Sequence, residues 1–165
     1  MKKSFYILSL IALFVSCKSS SVINSSSAEN KKESANQIIN KIINIASENI
    51  GVQYKTAGTT KAGYDCSGLV YSSFGHYDIA LPRTSYEQSK TGIQLDQNLK
   101  RAKIGDLIFF KTNRRSKINH VGIITKIQDN DIKFIHASTS KGVIISSMTE
   151  PYYQNTFVQL NRILQ

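Results

Sequence analysis

The sequence predicts an α+β fold, with helices packed on a central antiparallel β-sheet. Three observations lead to it. Apolar residues recur at helical spacing in the first half of the chain, and runs rich in Ile, Val and Phe replace that pattern after Gly105. Those runs are separated by short turn signals rather than by helices, which reads as an antiparallel sheet. Helices first and strands second argue for a layered architecture with the two kinds of element segregated.

Two segments precede that domain. Lys2 and Lys3 open a short positive region, and Phe5 to Val15 form an apolar run broken only by Ser9. Such a run is too short for a bilayer core, which takes about 20 apolar residues in a helix. Residues 1–16 therefore read as a cleavable export signal. Leu13-Phe14-Val15-Ser16-Cys17 resembles a bacterial lipoprotein processing site, which makes Cys17 the acylated N-terminus of the mature chain. Acyl chains contribute about 0.8 kcal/mol per buried CH₂, so several would hold the protein on a membrane. The expected location is the cell envelope, on the periplasmic side of a membrane or at the outer membrane. Residues 17–33 carry two serine triplets and scattered charge with no sustained period, the composition of a flexible tether. Residues 34–165 remain, enough for one compact domain, and no internal repeat appears.

Charge narrows the partners. The chain carries +10, and removing Lys2 and Lys3 with the signal leaves +8. Lys111, Arg114, Arg115 and Lys117 form the one dense patch, which reads either as a solvated loop tip or as a diffuse attraction to anionic envelope polymers. No nucleic-acid recognition motif accompanies the charge, and export argues against nucleic acid as a partner. A monomer is expected.

The elements follow in order. Ser34 and Gln37 are spaced as a capping box ahead of a stripe of Ile38, Ile42, Ile45 and Ala46, and Gly51 supplies the stop. A second helix is expected from Cys66, capped by Asp65, with Leu69, Val70 and Phe74 inward and Gly75 at its end. Thr84-Ser85-Tyr86-Glu87 suggests a third, ending near Gly92. Strands are expected over Asp106–Phe110, Ile118–Ile127, Asp131–Ala137, Gly142–Ser146 and Phe157–Ile163, with turns at Asn113, Asp129-Asn130 and Lys141-Gly142.

Cys66 carries the chemistry. Once Cys17 is acylated it is the only thiol, and an exported protein with one unpaired cysteine is unusual. A helix N-terminus favours the thiolate through its free N–H groups and dipole, while the adjacent Asp65 opposes it unless engaged in capping. The structural alternative is a small buried hydrophobe. A nucleophile needs a base, so the histidines decide. His76 follows Gly75 in a stretch of loop character and reads as a surface residue. His120 and His136 lie inside apolar strand runs, where an imidazole is costly unless hydrogen bonded. Strand side chains alternate faces. A hairpin closed by a two-residue loop at Asp129-Asn130 would put the two rings on opposite faces. An odd loop, or one bulge, would make them directly opposed neighbours on one face.

Five blocks now stand in order: Asp65-Cys66-Ser67-Gly68-Leu69-Val70, Leu81-Pro82-Arg83-Thr84-Ser85, Gly105-Asp106-Leu107-Ile108-Phe109-Phe110, His120-Val121-Gly122-Ile123 and Phe134-Ile135-His136-Ala137-Ser138. The sequence from about residue 35 to the end resembles the NlpC/P60 family of bacterial cell-wall cysteine peptidases, whose core is papain-like. The resemblance implies that Cys66 attacks a peptide carbonyl as the thiolate, paired with His120 as imidazolium or base. His120 returns the proton to the leaving amine, and a neutral His136 orients it. It implies that Tyr54 assists the backbone N–H of Cys66 in holding the oxyanion, and that Asp65, Ser67 and Arg83 line a substrate groove. The substrate class implied is the stem or cross-link peptides of peptidoglycan. No cofactor is expected, and no metal, since one cysteine and dispersed histidines lack ligand spacing. The segment between His120 and His136 looks about four residues longer than is usual in the family, an even insertion that preserves a shared face. Two other readings stay open: an inactive lipoprotein that binds wall peptides, and a thiol-dependent amidase or acyltransferase acting on another substrate.

Overall fold

The computed structural model of the chain describes residues 26–95, 97–113, 117–129 and 131–165. The expected export signal, Cys17 and the first part of the tether lie outside these residues, as do Arg114 and Arg115 of the basic patch and Asn130 of the expected turn.

Helix α1 spans Ser26–Ser47, so it begins eight residues ahead of the expected capping box, and Ser34 and Gln37 fall inside it. The last part of the segment read as a tether is therefore helical. Ala28, Glu29, Lys31, Lys32 and Glu33 are good helix formers with no Gly or Pro among them, and nothing breaks the run. The chain then forms a small hairpin of β1 (Thr59–Thr60) and β2 (Gly63–Tyr64), which delivers helix α2 (Cys66–Gly75). Helix α3 covers only Ser85–Gln88 and stops short of Gly92. The hydroxyls of Ser89 and Thr91 bond the carbonyls of Tyr86 and Glu87 (2.7 and 3.2 Å), a local alternative to further helix.

The sheet holds β3 (Ile93–Gln94), β4 (Leu107–Phe110), β5 (His120–Gln128), β6 (Asp131–Ser138), β7 (Gly142–Ser147) and β8 (Phe157–Arg162), in the spatial order β3-β8-β4-β5-β6-β7. The five long strands match the expected runs to within two residues at either end. Strand β3 and the short helix α4 (Pro151–Thr156) were not expected. Helix α4 starts on Pro151, which suits the first helical turn.

Both faces of the sheet are covered. Leu107, Phe109, Val121, Ile123 and Ile135 pack with Ile42 and Ala46 of α1 and with Leu69, Val70 and Phe74 of α2. Ile108, Phe110, Ile124, Ile132, Phe134 and Leu160 pack on the other face with Tyr153 of α4 and Met148. This is why Leu107-Ile108-Phe109-Phe110 is an unbroken apolar run: β4 lies between β8 and β5, and all four side chains are 0% exposed. Asp106, at the mouth of β4, is 2% exposed and is held by a bidentate bond from Arg162 (both N···O 2.8 Å). The carboxylate also accepts from the Lys103 N–H at 2.8 Å, so the buried charge is fully paired.

The β5–β6 hairpin settles the register. It runs Gln128↔Asp131, Ile127↔Ile132 and Lys126↔Lys133, then skips Thr125 to resume at Ile124↔Phe134 and Ile123↔Ile135. Asp129, at the turn, takes a left-handed φ of 51°. The bulge is the odd residue the pairing of histidines needed. The Thr125 hydroxyl donates to Lys133 O at 3.3 Å across it. Carried toward the start of β5, this register sets Gly122 across from His136 and puts His120 on the same face. The two rings are thus diagonal neighbours rather than directly opposed, because the bulge shifts the strand by one residue where direct opposition needs three.

Candidate active site

Cys66 is the first residue of α2. Asp65 caps that helix in extended conformation (φ −93°, ψ 173°), its Oδ1 accepting from the Gly68 N–H at 2.6 Å. Gly68 is required here: a Cβ would lie 2.0 Å from Gly58 O. Arg83 grips the same carboxylate, Nη1 to Oδ1 at 2.9 Å and Nη2 to Oδ2 at 2.8 Å, and Nη1 also donates to Ser67 Oγ at 3.0 Å. Gln88 of α3 ties the unit down by donating to Ser67 O (3.1 Å) and Pro82 O (2.8 Å). Asp65, Ser67 and Arg83 are therefore one hydrogen-bonded frame around the helix start. With Tyr54, Cys66, Thr84, Ser85 and Asn119 they line an open cleft of about 330 Å³.

The thiol meets β5 at its main-chain edge. Sγ donates to Asn119 O at 3.8 Å and is bonded in turn by the Val121 N–H, so it touches the backbone on both sides of His120. Cys66 is 7% exposed and unpaired. Burial pushes its thiol up to about 11, with the Asp65 charge adding to the rise. The N–H groups of Val121, Ser67 and Cys66 itself pull the other way and do not prevail. The helix start alone does not yield a resting thiolate, because desolvation outweighs the dipole. Tyr54 stands nearby, and burial together with the Cys66 and Asp65 charges raises its hydroxyl, with Arg83 opposing.

The histidines meet. His120 Nε2 lies 2.9 Å from His136 Nδ1, the rings nearly perpendicular at 85°. His136 is 1% exposed, and its Nε2 faces two hydroxyls, Ser146 Oγ and Tyr153 Oη, each at 3.1 Å. Burial lowers His120 to about 4; burial and then the His120 charge lower His136 to about 3. Both imidazoles are neutral at neutral pH. With Nε2 of His120 bonded to His136, Nδ1 is the ring nitrogen left for a thiol. A neutral His120 with Nδ1 unprotonated can act as a base.

The sequence reading missed Ser146 and Tyr153. Ser146 hid in a strand run, and Tyr153 sits on a helix that had no periodic signal. His76 is exposed, its Nδ1 2.7 Å from Ser72 O, away from the cleft. Among the described residues no group of three or more His, Cys, Asp or Glu converges as a metal site, and no helix is long and apolar enough to cross a membrane.

Comparison with known proteins follows the same lines. A family model described as the NlpC/P60 family matches residues 51–162. The chain is 43% identical over 115 residues to the Escherichia coli murein DD-endopeptidase MepS/murein LD-carboxypeptidase, covering 69% of this chain and 57% of that one. It is 36% identical over 165 residues to a probable endopeptidase of Haemophilus influenzae, covering 98% of both. The crystal structure of a Bacillus cereus NlpC/P60 family protein superposes with a TM-score of 0.67 at 29% identity, over 77% of this chain and 40% of that one. A match over most of the folded domain, an α+β core shared with solved relatives and a cysteine at a helix start beside paired histidines agree: the chain belongs to the NlpC/P60 family.

Proposed function

We propose that this protein is a cysteine peptidase that hydrolyses peptide bonds in the stem or cross-link peptides of peptidoglycan. The observation that carries the reading is the succession of groups that starts at Cys66 in the cleft: a thiol on the backbone either side of His120, and His120 bonded to His136 at 2.9 Å. The Escherichia coli relative named a murein DD-endopeptidase/LD-carboxypeptidase supports the substrate class, and the Haemophilus influenzae relative named a probable endopeptidase supports peptide cleavage.

The resting pair is a neutral thiol and a neutral imidazole. As the peptide carbonyl approaches, Sγ gives its proton to His120 Nδ1 and forms the C–S bond. The carbonyl oxygen becomes an oxyanion and is received by the Cys66 N–H and the hydroxyl of Tyr54, which lines the same cleft. His120, now imidazolium, is steadied through Nε2–H by the lone pair on His136 Nδ1. It then protonates the leaving amine, and the C–N bond breaks. Water, activated by the same nitrogen, hydrolyses the thioester and restores the thiol. The frame of Asp65, Ser67 and Arg83 shapes the cleft floor and borders the bound peptide. Export, acylation at Cys17, a tether shortened by the start of α1 at Ser26 and a location in the cell envelope complete the proposal, on the strength of the N-terminal sequence pattern, and the protein is proposed to act as a monomer.

Incubating the purified protein with defined linear and cross-linked murein peptides, and weighing the products, tests this. Cleavage by the native protein, absent in Cys66→Ala, is expected. Peptides that bind but stay intact would instead assign a binding lipoprotein, and turnover confined to other acyl substrates would assign an amidase or acyltransferase.

A further inference from the structure

The paired histidines solve one problem and raise another. Two imidazoles joined through a single hydrogen bond admit two proton arrangements, and only one is useful. If His120 carries its proton on Nε2 and donates to His136 Nδ1, then His120 Nδ1 is free to take the thiol proton. If His136 carries its proton on Nδ1 and donates to His120 Nε2, then His120 must be protonated on Nδ1, and no base faces the thiol. The pair alone does not choose. What lies on the far side of His136 does.

Behind His136 are two hydroxyls from elements that otherwise take no part in the site. Ser146 projects from β7 and Tyr153 from α4, and each oxygen is 3.1 Å from His136 Nε2. The two also bond each other, Ser146 Oγ donating to Tyr153 Oη at 3.4 Å. Ser146 and Tyr153 are 7% exposed each. A ring lone pair accepts one proton well, whereas an N–H can be shared by two acceptors. Two oxygens at equal distance from one nitrogen suit a shared N–H. With its own proton directed to Tyr153, Ser146 has only lone pairs to offer His136, and a shared N–H requires the Tyr153 O–H to turn away from Nε2.

We propose that Ser146 and Tyr153 are positioning residues that hold His136 as its Nε2–H tautomer and thereby keep His120 Nδ1 open as the catalytic base. The tyrosine is also fixed as a wall. Its ring packs edge-on against Phe134 (centroids 4.9 Å, 88°) and His136 (5.4 Å, 74°), so its hydroxyl is aimed by packing rather than by a flexible arm. The titratable groups facing His136 are His120 from β5 and Tyr153 from α4; β7 contributes the neutral Ser146. Glu150, which precedes α4, and Tyr152 within it act on Tyr153 from its own side. This inference rests on the cysteine-peptidase reading for its consequence in catalysis, but not for the tautomer itself.

The test combines kinetics with ¹⁵N NMR of histidine-labelled full-length protein. In Ser146→Ala/Tyr153→Phe both acceptors vanish and the buried Nε2–H is stranded, so the ring should move its proton to Nδ1. Expected are a fall in kcat of about 10- to 100-fold with KM unchanged, and exchange of the protonated and unprotonated ¹⁵N signals of His136. Each single variant keeps one acceptor, so a loss of about threefold or less is expected, which also covers the case where the double variant folds poorly. Native kcat in the double variant, or reduced kcat with the His136 nitrogen signals unchanged, would overturn the proposal. The tautomer is read without substrate. A protein that shows the Nε2–H signature yet cleaves no murein peptide would therefore keep this inference while defeating the functional reading.

Discussion

Gly122→Ala is a small change with a calculable effect on the site. Gly122 lies across from His136, and a Cβ built there would stand 2.7 Å from Phe134 Cδ2, 2.9 Å from Ile135 O and 3.4 Å from His136 Cβ. Ordinary contact begins near 3.4 Å, so Phe134 must retreat by about 0.7 Å and the Ile135 carbonyl by about 0.5 Å. Neither can move alone. The Phe134 ring packs against His136 at 5.1 Å and Tyr153 at 4.9 Å, and Ile135 is the residue before His136. A displacement of about 0.6 Å would stretch the 2.9 Å bond between the histidines to the edge of hydrogen-bonding distance. Overpacking of this kind costs about 1–3 kcal/mol, and misplacing a catalytic group by about 1 Å costs up to about 100-fold in rate. The variant should therefore melt several degrees lower and, while still folded, lose about 10- to 100-fold in kcat/KM on a murein peptide. A folded Gly122→Ala enzyme with kcat/KM within about twofold of native would refute the link between strand register and catalysis.

Asp65→Asn removes the charge that helps raise the Cys66 thiol, so the midpoint of alkylation by iodoacetamide against pH should move down, while the lost pair with Arg83 lowers the melting temperature. His120 and His136 are held below their ordinary 6.5 by burial, so the unfolded chain binds the more protons below that pH. Stability should be fully present above about 6.5 and fall as pH drops toward about 4 and 3, read by melts across that window. The acid limb of kcat should likewise lie nearer 4 than 6.5. Arg162→Met leaves the Asp106 carboxylate buried without its partner, which costs about 3–5 kcal/mol in a denaturant titration, yet the fraction still folded should cleave at the native rate.

Much of this was legible in the chain because it depends on local rules. Asp65 before Cys66 is a cap in sequence and in structure, and the long strands announced themselves by apolar runs bounded by turns. The shared face of His120 and His136 could be posed as a condition but not decided, since it turns on whether one residue is skipped. Thr125 gives no composition signal of a bulge; only its hydroxyl on Lys133 O shows why it is tolerated. The thiol's ionisation went the other way from the dipole argument, because desolvation outweighs the helix start, and the burial comes with packing against a segment around Asn119 more than fifty residues away in the chain. Tyr153 was invisible for a related reason. Helix α4 is six residues long, too short for a period, and its role comes from the sheet face it covers.

Acid quenching of the protein during turnover of a murein peptide, followed by mass analysis of the fragment containing Cys66, addresses the covalent step itself. A thioester adduct on Cys66 in the native protein is expected, with none in Cys66→Ala and far less in His120→Ala. Peptide hydrolysis at native rate by Cys66→Ala, with no adduct anywhere, would contradict the account.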